Sequence, residues 1–193
     1  APDSGSITGL TLRGEQLWYV TDAGSIGWLP LPSSAGTPPP YAPNQVFNLA
    51  TQGGVASPAQ SITTDGREIF VGTAISASST DLFSIWALDT ANPTTVRGVA
   101  LPARSAVFAL SLGRDGQILA GLLRGRLYSV DPMTGASALL NAQAPAPQGN
   151  ANGSFINPWT NLVGVVPGSG SPARQLDHFD VSTGAWLPNR AGG

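Results

Sequence analysis

The sequence predicts an all-β fold, a β-propeller of about four blades. Three observations carry this: one strand–turn–strand–loop–strand unit occurs four times, no segment shows helical periodicity, and several strands are apolar on both faces. The units span about residues 5–50, 57–102, 106–141 and 154–188 of a 193-residue chain read as one domain. Strands such as Ile69-Phe70-Val71 and Ile118-Leu119-Ala120 have apolar residues at consecutive positions. Such strands belong to sheets covered on both sides, as blades are by their neighbours around an axis. A single unit cannot bury both of its faces, which accounts for the repetition.

The first unit contains SITGLTLRGEQLWYV and SIGWLPLP, and the second SITTDGREIFVG and LFSIWALDT. The third contains FALSLGRDGQILAGLL and GRLYSVDPMTG, and the fourth FINPWTNLVGVV and QLDHFDVSTG. The first turn of each unit falls at Gly14, Gly66, Gly116 and Asn161. Asp65-Gly66 and Asp115-Gly116 are hairpin signals, because a two-residue type I′ turn needs positive φ at both central positions. In the strand that follows, Gly72, Gly121 and Gly164 recur at nearly one offset, with Val20 in the first unit. A recurrent strand glycine predicts close approach by a neighbouring backbone. The third strand repeats an aromatic at Trp28, Trp86, Tyr128 and Phe179. A fourth, outer strand is expected at Gln45–Ala50, Thr95–Leu101, Ser137–Asn141 and Trp186–Leu187. Gly (24) and Pro (17) interrupt every window long enough for a helix. Residues 33–43 and 142–154 are rich in Pro and small residues and read as loops inserted between strands.

Composition narrows the function classes. With no cysteine, thiolate metal sites, disulfides and a Cys nucleophile are excluded. Only 10% of residues are charged and the net charge is −2, with arginines scattered singly. That argues against nucleic acid as a partner. All the basic residues are arginine, which together with abundant Ala, Gly and Pro suggests a GC-rich, bacterial genome. No apolar run reaches the ~18 residues of a membrane helix. The opening APDSG looks like a mature or trimmed terminus, so a secreted or periplasmic location is expected.

The string ILAGLLRGRLYSVDPMTGA, residues 118–136, resembles the repeat of PQQ-like bacterial β-propellers. REIFVGTA with SIWALDT, and LVGVV with LDHFDVSTG, resemble it more weakly. The resemblance covers about two thirds of the chain and implies a fold. The quinone chemistry of PQQ-dependent dehydrogenases does not carry over, because it needs calcium-binding carboxylates and a stacking Trp in a much longer chain. Those rings usually have more blades than this chain supplies. The chain is therefore either a small closed ring or part of a larger one completed by further sequence or by a second copy.

No catalytic constellation, metal site or cofactor site emerges. His178, the only histidine, lies between Asp177 and Phe179. Strand neighbours point to opposite faces, so an Asp–His pair is poorly formed there. His178 occupies the repeat position of Ile85 and Leu127, which suggests packing or an interblade hydrogen bond. Glu15 and Glu68 are the only glutamates, and both read as solvated turn residues. Asp89 and Asp131 end equivalent strands, where Asp commonly binds the backbone of the next turn. Trp18, Trp86, Tyr128 and Phe179 read as core.

The loops between second and third strands, and those linking successive units, should emerge on one face. That face carries Asp22, Thr80, Asp81, Arg104, Arg124, Asn150 and Asn152. Tyr41 and Trp159 sit in or beside the Pro-rich loops, where an exposed ring can stack on a sugar or a side chain. The ligand-binding candidates are Tyr41, Asp81, Arg104, Arg124 and Trp159. The function expected is a non-enzymatic, extracytoplasmic module that presents loops to a protein, peptide or glycan. The alternatives are a propeller hydrolase or lyase with a central-channel site, and a structural fragment completed by another chain or domain.

Overall fold

Positive-φ glycines at Gly14, Gly24, Gly66, Gly116, Gly135 and Gly184 close turns between short strands. The computed structural model describes residues 5–32, 44–102, 105–113, 115–122, 126–141, 151–157, 162–167 and 177–187. Among these there is no helix. The strands form four antiparallel sheets of four, each a meander in chain order. The first sheet comprises β1 (Ile7–Arg13), β2 (Gln16–Thr21), β3 (Ser25–Pro30) and β4 (Asn44–Asn48). The second comprises β5 (Ala59–Thr64), β6 (Glu68–Thr73), β7 (Ile85–Asp89) and β8 (Val96–Val99). The third comprises β9 (Val107–Leu112), β10 (Ile118–Leu122), β11 (Leu127–Val130) and β12 (Ser137–Leu139). The fourth comprises β13 (Ala151–Asn157), β14 (Leu162–Pro167), β15 (Asp177–Asp180) and β16 (Ala185–Leu187).

The first strand of each sheet lies against the first strand of the next, β1 on β5, β5 on β9 and β9 on β13. Apolar side chains fill the spaces between sheets. Trp18, Val20, Ile26, Phe47 and Leu49 of the first sheet and its outgoing turn meet Ile62, Ile69, Val71 and Leu88 of the second. Phe70, Ile85, Ala87 and Val99 meet Val107, Leu110, Ile118, Ala120 and Tyr128 of the third. Leu119 and Leu127 meet Phe179 of the fourth. Alternation along a strand is what lets one strand serve two cores: Val71 faces the first sheet while Phe70 faces the third. Among the described residues, β1 and β13 make no comparable approach.

The repeat positions are set by register. Gly72 pairs with Ile85, Gly121 with Leu127 and Gly164 with His178, so the inner glycines and the residues opposite them are equivalent across three sheets. A Cβ on Gly72 would collide with Ser61 Oγ and come within 2.7 Å of Val107 Cγ1 on β9. The close approach expected there comes from side chains, one of them from the next sheet.

Several readings are corrected. In the first sheet Val20 pairs with Ile26, so the position equivalent to Trp86, Tyr128 and Phe179 is Gly27, and Trp28 lies one residue further on. Trp28 consequently packs toward the second sheet, whereas Tyr128 and Phe179 pack back on the preceding sheet. The Tyr19 hydroxyl lies over Gly27, where a Cβ would collide with it. Asp65-Gly66 and Asp115-Gly116 mark turns, but not two-residue ones. Thr64 pairs with Ile69 and Leu112 with Ile118, leaving longer loops. The Asp side chains explain the length: Asp65 Oδ1 accepts from the N–H groups of Arg67 (2.8 Å) and Glu68 (2.7 Å), and Asp115 Oδ1 from Gln117 N–H (3.1 Å). Among the described residues, only Gly14-Glu15 is a two-residue connection, between paired Arg13 and Gln16.

Glu68, read as a solvated turn residue, is instead the buried first residue of β6. Arg97 of β8 grips it through two bonds, Nε to Oε1 at 3.1 Å and Nη2 to Oε2 at 2.6 Å. Strand β13 begins at Ala151, inside the stretch read as a loop, so Asn152 belongs to a strand.

Candidate functional site

Because every sheet is an antiparallel meander, the β2–β3 type of loop and the sheet-to-sheet connections leave from the same end of the strands. The best-defined part of that end lies over the second sheet. The β6–β7 loop, residues 74–84, is longer than the β2–β3 turn at residues 22–24 and runs as AISASSTDLFS. Such a loop needs internal partners to hold one conformation, and Asp81 supplies them.

Asp81 is buried and accepts backbone hydrogen bonds from the preceding connection: Ala56 N–H to Oδ1 at 3.0 Å and Ser57 N–H to Oδ2 at 2.7 Å. Ser57 Oγ and Ser79 Oγ lie 2.9 Å apart, and Ser79 Oγ accepts from Asp81 N–H at 3.1 Å. Burial pushes the Asp81 carboxyl up, but the Ser57 hydroxyl, the two backbone N–H groups and Ser79 together outweigh it and hold the pKa below 3.8. The carboxylate is therefore a brace between two loops. Above it the loop presents Ser76, Ser78, Thr80 and Leu82 to solvent, with Leu82 75% exposed. Ser76 and Ser78 hydroxyls lie 3.0 Å apart. Phe83 turns inward, its ring against Gly98 and edge-on to Trp86 at 5.6 Å.

A second brace sits at the same end of the first sheet. Buried Asn48 donates from Nδ2 to Ser25 Oγ (3.1 Å) and to Ala23 O (3.4 Å), and its Oδ1 accepts from Thr51 N–H (2.8 Å). Asn141 repeats the device in the third sheet, accepting from Leu127 N–H at 3.0 Å. Asp22, in the β2–β3 turn at this same end, accepts from Ser6 N–H at 2.8 Å and ties the turn to the start of β1. The result is a loop end whose buried polar side chains, Asp81, Asn48 and Asn141, hold backbone in place.

Of the binding candidates, Asp81 is thus placed under the β6–β7 loop, beside exposed Thr80. Tyr41, Arg104, Arg124 and Trp159 lie outside the described residues, as does Asn150. The residues missed in the sequence are Leu82, the serines of its loop, and the two bracing asparagines. The one available signal was an Asn in the outer-strand segment of units one and three, Asn48 within Gln45–Ala50 and Asn141 at the end of Ser137–Asn141.

At the other end of the strands, Asp89, Asp131 and Asp180 each close the turn that follows. Asp89 accepts from Ala91 N–H, Asp131 from Met133 and Thr134 N–H, and Asp180 from Ser182 N–H and Oγ. The Met133 amide chiefly lowers the Asp131 pKa, and the Ser182 hydroxyl that of Asp180. His178 is half-buried, across from Gly164 on one side and Leu187 on the other. Among the described residues no three His, Asp or Glu side chains gather into a metal-binding group.

Four repeated meander sheets packed face to face define a propeller-type scaffold, and solved structures share it. The chain is similar to the computationally designed Ika4 protein, with 14% identity, TM-score 0.57 and 92% of each chain covered. It is similar to the β-propeller domain of Myceliophteria thermophila Cps50 (Swd1), with 15% identity, TM-score 0.59, and 97% of this chain against 54% of that one. It is also similar to an auxiliary nutrient binding protein from Bacteroides thetaiotaomicron VPI-5482, with 9% identity, TM-score 0.68, and 98% of this chain against 43% of that one. The chain therefore spans about half the length of these two natural structures. No family model matches the sequence, and no curated protein matches it.

Proposed function

We propose that the protein is a non-enzymatic binding module. It engages a protein, peptide or glycan through the loop end of its sheets, in a secreted or periplasmic setting. The observation that carries this reading is the Asp81-braced β6–β7 loop. A buried carboxylate fixes its backbone while Leu82 and a row of hydroxyls face outward. An apolar side chain held out on a rigid loop, ringed by hydrogen-bonding groups, is the usual composition of a recognition surface. The similarity to a nutrient binding protein and the resemblance of residues 118–136 to PQQ-like repeats support the scaffold half of the reading. Arg104, between the second and third sheets in sequence, and Arg124, between β10 and β11, belong to connections of this end and are proposed to add to the surface. Tyr41, between β3 and β4, and Trp159, between β13 and β14, belong in sequence to connections of the opposite end and are left out of it.

The test is a binding screen on glycan and peptide arrays with the intact chain, repeated with Leu82→Asp and with Ser76→Ala/Ser78→Ala. A specific hit should weaken about tenfold or more in these variants while thermal unfolding stays unchanged. Hits indifferent to all three substitutions, or turnover of a broad substrate panel by the purified protein, would overturn the reading.

A further inference from the structure

The first strands of the first three sheets are interrupted at the same register. Gly9 pairs with Val20, Ser61 with Gly72 and Ala109 with Gly121. One step further, Ile7 pairs with Thr21, Ala59 with Thr73 and Val107 with Leu122. The first strand thus advances two residues against one, and the extra residue is Thr8, Gln60 or Phe108. Each is a β-bulge, which gives up ladder pairing and re-aims the side chain it carries. Hydroxyls tie the three together across the sheets. Thr8 Oγ1 donates to O of Ala59, the neighbour of Gln60 (3.1 Å), and Ser61 Oγ donates to O of Val107, the neighbour of Phe108 (3.4 Å). The bulges therefore stand side by side near the loop end, where the first strands begin.

The residues flanking Gln60 and Phe108 in sequence are buried, whereas these two are half-buried. Among the described residues no hydrogen bond occupies the Gln60 carboxamide. Strands β5 and β9 carry no charged residue, and Arg13 of β1 lies at the far end of its strand, bonded to Gly66 O and Gln16. We infer that Gln60 and Phe108 form a subsite for a neutral sugar. A carboxamide offers a donor and an acceptor side by side, which is what two neighbouring sugar hydroxyls require. A partly exposed aromatic ring covers the apolar C–H face of a pyranose. Uncharged surroundings favour a ligand that has no charge to desolvate, which sets a neutral sugar above a charged peptide. The inference rests on the binding-module reading and adds the class of ligand. Its place adjoins the braced loop, since Ser57, bonded to Asp81, lies three residues before Gln60.

Isothermal titration calorimetry of the intact chain with glucose, galactose, mannose, maltose and cellobiose tests this, with glucuronate as the charged control. At least one neutral sugar should bind with a dissociation constant of about 1 mM or tighter, and glucuronate more weakly. The affinity should hold between about 0.05 and 0.5 M NaCl. Gln60→Ala, and separately Phe108→Leu, should weaken it about tenfold or more with wild-type circular dichroism. Phe108→Leu removes the flat ring while keeping an apolar side chain in place. Met133→Ala, at an exposed turn of the other end, should leave binding unchanged. No neutral sugar bound, tighter binding of glucuronate, or a sugar held equally well by both variants would each overturn the inference. A peptide hit lost in Leu82→Asp, with no sugar bound, would overturn it and leave the loop reading standing. A sugar bound through Gln60 and Phe108 but indifferent to the Leu82 and serine variants would support it and overturn the loop reading.

Discussion

The two faces of the first sheet differ in covering more than in sequence. One carries Trp18 and Val20, packed against Ile62, Ile69 and Val71 of the second sheet. The other carries Leu10 and Leu12 on β1, as apolar in sequence and more than half exposed, beside Tyr19 on β2, which is buried. Binary patterning says which residues can be buried, and the arrival of a neighbour decides which of them are. Gly27 and Tyr19 mark the same difference. Where the second, third and fourth sheets place an aromatic toward the preceding sheet, the first has a glycine shielded by its own tyrosine.

The comparison sharpens most at equivalent positions. Ile62→Ala should cost about 2–5 kcal/mol by cavity formation. Leu10→Ala, measured by denaturant unfolding at nanomolar concentration, should stay within about 0.5 kcal/mol. Equal losses would mean that the first sheet's outer face is covered within a single chain.

A smaller effect belongs to the loop brace. Asp81→Asn should cost about 1–3 kcal/mol at neutral pH, because it leaves buried N–H groups of Ala56 and Ser57 short of an acceptor. The native carboxyl titrates below its ordinary value of 3.8. Its stabilisation is therefore complete above that pH and declines as the pH falls from 3.8 through the lowered folded value. Chemical denaturation of both proteins from pH 6 to pH 2 should show the advantage of Asp81 shrinking only at the acid end. A constant difference would assign the effect to packing.

The smallest effect is expected at the ion pair. Arg97 is partly exposed, so screening limits what its bonds to Glu68 contribute, and Arg97→Ala should cost about 1 kcal/mol. A loss several times larger in thermal or urea unfolding would show that Glu68 depends on Arg97 as fully as an interior charge does.

Much of the architecture was legible because it follows from local rules. Turn tips at Gly14, Gly66 and Gly116, the glycine offset at Gly72, and the position shared by Ile85, Leu127 and His178 are all visible in one dimension. What was not legible depends on three-dimensional company. Asp65 and Asp115 lengthened their loops by binding nearby amides, which a dipeptide rule ignores. Glu68 was misread for that reason, since a longer turn moves it into the strand. Asp81 was singled out as a loop residue, but nothing in sequence revealed that its oxygens would be taken by Ala56 and Ser57. The exposure of Leu10 was equally hidden, because Leu10 and Ile62 sit in similar apolar strings.

The chain-order meander has a consequence for how the molecule assembles itself. Each sheet is made from one continuous stretch, and each core joins stretches that are consecutive in sequence. Ordering can therefore begin in any sheet and spread outward, as in a row of coupled units. The second and third sheets, flanked on both sides, gain cooperative support from two directions, while the first is supported from one. Local openings within a single chain should accordingly be cheapest at its β1 edge.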